Sequence, residues 1–383
     1  MPCQEGLVSS YSWTMNTLDA ILDDLRKTTQ PSVLATLVRV KGSAYRKPGA
    51  RMILDREGPR MGVVSGGCLE NDLAERTKGI LANAKPALVK YELGLELDLI
   101  WGTGMGCDGT AEILLQPLDP GKRPAWIDFM AGILEKRQRG VLITVFAVQD
   151  DCPFPVGEVF AYDEDLAGRS SGVPELDEAF RQAAHRCLQE EAAFTMRFPL
   201  PGGSLEACIE PVLPRFSLYV YGAGESTKPL ARFARELGWF FAVLDHRPGL
   251  ATQERFPSAN RVISGLPKEI IPGLPMDHRS AALVVSHVYD RDQEALRALL
   301  DSNAAYVGLQ GSRRRSAKIV AELEKEAGPL TEAQKGRLFY PVGLDIGAEA
   351  PEAIALSMVA EIQMVLSGRQ GGHLKDRQGC IHG

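Results

Sequence analysis

Residues 218–227, Leu-Tyr-Val-Tyr-Gly-Ala-Gly-Glu-Ser-Thr, constrain the fold more than any other stretch of the chain. An apolar, aromatic run that reads as a strand meets a Gly-x-Gly turn, and a helical pattern follows over about 226–237. Gly222 admits the sharp turn. Gly224 lets a phosphate approach the helix N-terminus, where free N–H groups and the helix dipole favour an anion. Thr227 stands where a third glycine is usual, which loosens the match to a dinucleotide fingerprint, while Asp245 closes the next strand at the spacing of a ribose-binding acid. Strands at 217–221, 240–244, 282–286 and 306–309 alternate with helices at 226–237, 291–301, 313–327 and 351–366. This alternation predicts a Rossmann-like, doubly wound parallel sheet over residues 216–367.

In such sheets ligands bind beyond the carboxyl ends of the strands, so residues there are candidates. Arg247, in Asp245-His-Arg-Pro248, either pairs with a phosphate or caps the sheet edge. His287 follows the strand ending at Ser286 and reads as a general base, a metal ligand or a hydrogen-bonded structural histidine. Arg313, Arg314 and Arg315 open a helix, where cations oppose the dipole; either an anion lies nearby or they form a solvated basic patch. Asp345, in Gly343-Leu-Asp-Ile-Gly347, either caps a turn or binds a ligand.

A domain boundary is expected at 211–215, with an α+β domain over residues 1–215. Residues 14–29 read as a helix through Leu18, Ile21, Leu22 and Leu25, and 32–40 as a strand. A strand at 51–54 follows, and after the Asp55–Pro59 turn a third strand ending at Ser65, the first three strands forming one sheet that brings the 41–50 loop beside the turn Ser65-Gly66-Gly67-Cys68. A helix over 69–84 begins directly after this turn, so the positive end of its dipole favours the Cys68 thiolate. Glycines at 102, 104, 106 and 109 surround Cys107 in a second loop; such conformational cost is typical of ligand loops. Further strands are read at 87–93, 111–115, 141–148, 156–162, 193–198 and 205–213, helices at 127–137 and 176–188, and a hairpin turn at 199–203. The tail, 368–383, reads as disordered.

Composition narrows the function classes. A length of 383 residues exceeds one typical core. A net charge of -6 argues against broad nucleic-acid binding, and no apolar run approaches a membrane span. Seven dispersed cysteines, with no CxxC and no secretory signal, fit a reducing cytoplasm and no disulfide or zinc framework.

Taken together, these junctions resemble the XdhC/CoxI family, maturation factors of xanthine dehydrogenase and related molybdenum hydroxylases. The N-terminal likeness lies in Gly42-Ser43, Arg46, Pro48-Gly-Ala50, Val64-Ser-Gly-Gly-Cys-Leu-Glu70 and Gly106-Cys-Asp-Gly109. The C-terminal likeness lies in Tyr221-Gly-Ala-Gly224, Asp245-His-Arg-Pro248, Ser286-His287, Gly308-Leu-Gln-Gly-Ser-Arg313 and Gly343-Leu-Asp-Ile-Gly347. Two departures stand out: Cys107-Asp-Gly109 replaces a Cys-Gly-Gly loop, and Ser286-His287 replaces threonine-histidine. The resemblance implies binding of the molybdenum cofactor, a phosphorylated pterin whose dithiolene holds molybdenum. It implies protection of that cofactor, sulfuration with a cysteine desulfurase and insertion into an apo molybdenum hydroxylase, by a homodimer. On this reading Cys68 and Cys107 meet the metal or relay sulfur, Arg46 and Lys47 neutralise the phosphate, and Ser65, Gly66, Gly67 and Glu70 complete the site. Gly222, Gly224, Asp245, Arg247 and His287 form a second ligand edge. The alternative is an NAD(P)-dependent oxidoreductase using that edge, with chemistry by Cys68 or His287.

Overall fold

The computed structural model describes residues 18–42, 45–93 and 109–376. The chain divides after Pro214 into two compact units.

In the first unit, β1 (Ser32–Gly42), β2 (Arg51–Asp55), β3 (Gly58–Gly62), β4 (Ala87–Leu93) and β5 (Gly109–Leu118) form an antiparallel sheet of order β3-β2-β1-β5-β4. A second antiparallel sheet, of order β7-β6-β9-β8, contains β6 (Gly140–Asp150), β7 (Val159–Asp163), β8 (Phe194–Leu200) and β9 (Gly203–Val212). Side chains alternate along β1, as strand geometry requires. Leu34 joins α1 (Leu18–Lys27) and α3 (Ala125–Glu135) in one core, whereas Val33, Ala35 and Leu37 pack with Leu73 of α2 (Glu70–Asn83) in another. The second sheet is covered by α4 (Pro174–Glu190), whose Phe180 ring lies 4.9 Å from both Phe160 and Phe198.

The first three strands share a sheet, as expected from sequence, but β3 ends at Gly62 rather than Ser65. Gly62 sits at φ +80, and the Ser65 N–H turns to the Glu70 carboxylate instead of a neighbouring strand. The strand expected from Val156 starts at Val159, because Pro155–Glu158 forms a turn with Gly157 at φ +91. The 199–203 hairpin turn joins β8 to β9.

In the second unit, β10 (Ser217–Tyr221), β11 (Phe240–Asp245), β12 (Arg261–Ser264), β13 (Ser280–Val284), β14 (Tyr306–Leu309) and β15 (Leu338–Phe339) form one parallel sheet of order β12-β11-β10-β13-β14-β15. This is the doubly wound Rossmann order, with its switch point between β10 and β13. Leu218, Val220 and Leu283 pack on one face beneath α5 (Thr227–Glu236) and α10 (Pro351–Leu366). Tyr219, Ala282 and Val284 pack on the other beneath α7 (Tyr289–Leu300) and α8 (Arg313–Ala327). The short elements α6 (Pro267–Ile270), α9 (Glu332–Gly336), β12 and β15 lie in stretches whose sequence shows no clear period. Of the tail beyond Gly368, residues up to Asp376 are described and include a 3-10 turn at Leu374–Asp376.

Candidate functional site

The Cys68 turn is braced from within. Glu70, at the first position of α2, is buried; its carboxylate accepts the Ser65 N–H at 3.0 Å, the Leu69 N–H at 3.1 Å and the Ser65 hydroxyl. Ser65 Oγ in turn accepts from the N–H groups of Gly67 and Leu69, both at 3.2 Å. Leu69 is the N-cap and its apolar side chain offers no acceptor, while the Glu70 carboxylate takes the N–H of Leu69 itself. The N–H groups of Ser65, Gly67 and Leu69 are therefore occupied within the turn. Gly66, Gly67 and Cys68 remain exposed, and Cys68 is a free cysteine.

The 45–50 loop lies against this turn, as expected from sequence. A Cβ on Gly66 would sit 3.5–3.8 Å from Cγ, Cδ2 and Cδ1 of Tyr45. Arg46 is half-buried and Lys47 exposed. The base of the loop pairs with β1 through Gly49 N–H to Leu37 O and Leu37 N–H to Ala50 O, both 2.9 Å. Beneath it Arg51 and Glu210, both buried, form a forked ion pair linking the two sheets, and Arg51 also donates to Gly49 O. Gly49 is at φ +95, and a Cβ there would lie 2.5 Å from Glu210 Oε2. Cys107, the other predicted sulfur ligand, lies outside the described residues. Cys187 and Cys208 are buried and serve packing: burial, then Glu210, pushes Cys187 up to about 12 and Cys208 upward as well.

In the second unit Gly222 is at φ +128, and a Cβ there would come within 2.6 Å of the Val285–Ser286 backbone. Thr227 explains its place: its buried hydroxyl donates to Gly222 O at 2.6 Å, closing the turn. Around Gly224 a Cβ would meet only Ser226 Oγ, at 3.9 Å. Asp245 is fully buried and its carboxylate takes four donors: the Ala223 N–H at 2.7 Å, and the Arg247 N–H, Nε and Nη2 at 2.8–2.9 Å. A carboxylate offers about four acceptor sites, so none is left for a ribose diol. Burial works to raise the Asp245 pKa, but the Arg247 and Ala223 bonds outweigh it and hold the acid below the usual carboxylate range.

His287 is exposed, at φ +63, with no hydrogen bond among the described residues. Beside it Ser286 donates to Asp292 at 2.5 Å, and Asp292 pairs with Arg315 at 2.6 Å. The three arginines thus divide: Arg315 turns inward to a buried acid, whereas Arg313 and Arg314 are exposed. Asp345 is exposed on a loop held by Glu361, which accepts the Gly343 N–H at 2.9 Å. A cavity of about 650 Å³ in the first unit, lined by Trp126, Phe129, Pro117, Pro155 and Arg169 among others, includes none of the predicted site residues.

Comparison with known proteins resolves the family. The profile described as the XdhC and CoxI family matches residues 25–92, and that of the XdhC Rossmann domain matches residues 218–362. A Bacillus subtilis (strain 168) protein named as a probable xanthine dehydrogenase subunit is 30% identical over 345 residues, spanning 90% of this chain and 95% of that one. The chain belongs to the XdhC and CoxI family. A solved Bacillus halodurans structure, described as a xanthine dehydrogenase, is 28% identical with a TM-score of 0.73, over 94% of this chain and 98% of its own. The molybdenum cofactor insertion chaperone PaoD of Escherichia coli (strain K12) is 22% identical over 335 residues, 87% of this chain and 83% of PaoD.

Within the XdhC and CoxI match lie Arg46, Tyr45, Arg51 and the whole Ser65–Glu70 turn; within the Rossmann match lie Gly222, Gly224, Asp245, Arg247 and His287. Tyr45, Arg51, Glu210 and Asp292 belong to these two clusters and were missed by sequence reasoning. Glu210 had no local signal, because its partner Arg51 lies 159 residues away, and Asp292 joins Ser286, six residues before it, to Arg315, 23 residues after it.

Proposed function

We propose that this chain carries the molybdenum cofactor as cargo: it protects the cofactor, assists its sulfuration with a cysteine desulfurase and inserts it into an apo molybdenum hydroxylase of the xanthine dehydrogenase type. Membership of the XdhC and CoxI family and similarity to the chaperone PaoD support this reading. The observation that carries it is the free, exposed Cys68 on a turn that Glu70 braces through three hydrogen bonds.

The residues present suit that cargo. A soft sulfur ligand matches molybdenum or a transferable sulfur, and Arg46 and Lys47 on the adjoining loop match a phosphate. Cys68 presents the thiol. Glu70 braces the turn with three accepted bonds, and the one acceptor site left on its carboxylate suits a single pterin N–H. The exposure of this turn suits a cargo that must pass to a second protein. A homodimer working in the cytoplasm belongs to the same proposal. The oxidoreductase alternative needs Asp245 to accept ribose hydroxyls, and its four donors stand against that.

The test is transfer. Chain loaded anaerobically with the cofactor is mixed with an apo molybdenum hydroxylase and the two are separated by size. Cofactor moving to the hydroxylase, and not moving from a Cys68→Ala chain, supports the proposal. Cofactor that never loads, together with a rise in the chain's melting temperature on adding NAD(H), overturns it.

A further inference from the structure

Tyr45 is two-thirds exposed, at 66%, and its hydroxyl has no hydrogen-bond partner among the described residues. Single exposed aromatics are ordinary on protein surfaces. This ring is seated, however. The near-equal distances from the Gly66 Cβ position to Cγ, Cδ2 and Cδ1 (3.5, 3.7 and 3.8 Å) put that position over the ring face rather than at its edge. One face rests on the glycine turn two residues before Cys68, which leaves the other for a ligand. The loop that carries the ring is anchored at its base by the buried Arg51–Glu210 pair and the Gly49 backbone bonds. Cations at Arg46 and Lys47 follow the ring directly.

We propose that Tyr45 is a stacking platform for a planar heterocycle bearing a phosphate, and specifically for the pterin ring of the cargo. A fixed aromatic face, a thiol and two cations on adjoining turns offer one feature for each chemical part of such a ligand: ring, metal–sulfur end and phosphate. Stacking accepts any flat π-system and draws its strength from contact area, so it depends on the ring of Tyr45 and not on its hydroxyl. This inference rests on the carrier reading.

The probe is 6-(hydroxymethyl)pterin phosphate, which has the ring and the phosphate without metal or dithiolene, titrated with the full chain and followed by quenching of pterin fluorescence. Tyr45→Ala should weaken binding about 10- to 100-fold, the range for loss of one aromatic stacking partner. Tyr45→Phe should bind within about threefold of wild type, since the face is retained. Tyr45→Leu, which keeps bulk without a π-face, replaces the alanine variant if that variant does not fold. Equal binding by Tyr45→Ala, or a loss in Tyr45→Phe as large as in Tyr45→Ala, overturns the platform. A parallel thermal-shift titration with intact molybdenum cofactor separates the two readings. Wild type that binds the cofactor but not the pterin phosphate overturns the platform and leaves the carrier reading standing. Wild type that binds neither overturns the carrier reading itself.

Discussion

Asp245 and Glu70 show how far the role of an acid depends on its donors. The position of Asp245 was legible from strand spacing; its full complement of donors was not, because Ala223 and the Arg247 fork reach it only in three dimensions. Its folded pKa is depressed, so the stability it contributes is fully present above the unfolded value of about 3.9 and is lost as pH falls through the folded value. Arg247→Met removes the main cause of that depression and leaves burial unopposed. The acid should then titrate at higher pH, the acid limb of stability should move upward, and stability at pH 7 should fall by about 1.5–3 kcal/mol. Urea melts across pH 3–7 test this, and an unmoved acid limb would refute it. Glu70→Ala strands the Ser65 N–H and leaves the Leu69 N–H to Ser65 Oγ alone, for an expected loss of about 1–3 kcal/mol. Faster amide exchange at residues 65–69 should accompany it, and unchanged protection would show that the glutamate does not brace the turn.

At the scale of elements, β10, its glycine turn and α5 were legible because local periodicity and the sharp-turn requirement coincide in ten residues. Short β12 and β15 were not, since four and two residues carry no readable period. The strand expected to end at Ser65 was overextended for a related reason: Val63 and Val64 look like strand, while the Ser65 N–H goes to Glu70. The buried Arg51–Glu210 pair, joining β2 to β9, makes a sharp prediction. Arg51→Met alone should cost about 3–5 kcal/mol by leaving a buried carboxylate unpaired, whereas adding Glu210→Leu should recover most of that loss. Chemical denaturation of the two single variants and the double variant tests the coupling. A double variant as unstable as the single one would mean that the pair contributes through packing alone.

At the scale of the whole molecule, the hydrophobic core clusters among the described residues each fall on one side of Pro214. Residues 1–214 and 215–383, expressed separately, should therefore each unfold cooperatively with a heat-absorption peak of its own; a fragment without a transition would contradict this. No helix among the described residues is long and apolar enough to cross a membrane. The family was legible because spaced motifs recur in order through both units. The ligand of each unit was less so, because a glycine turn announces close approach without saying what approaches. The central claim, that Cys68 holds molybdenum cofactor as cargo, is tested most directly by anaerobic titration of the full chain with the cofactor, NAD(H) and ATP, read by thermal shift. The carrier reading predicts a rise in melting temperature with molybdenum cofactor that is lost in Cys68→Ala. A rise with NAD(H) alone, unchanged in Cys68→Ala, would contradict it.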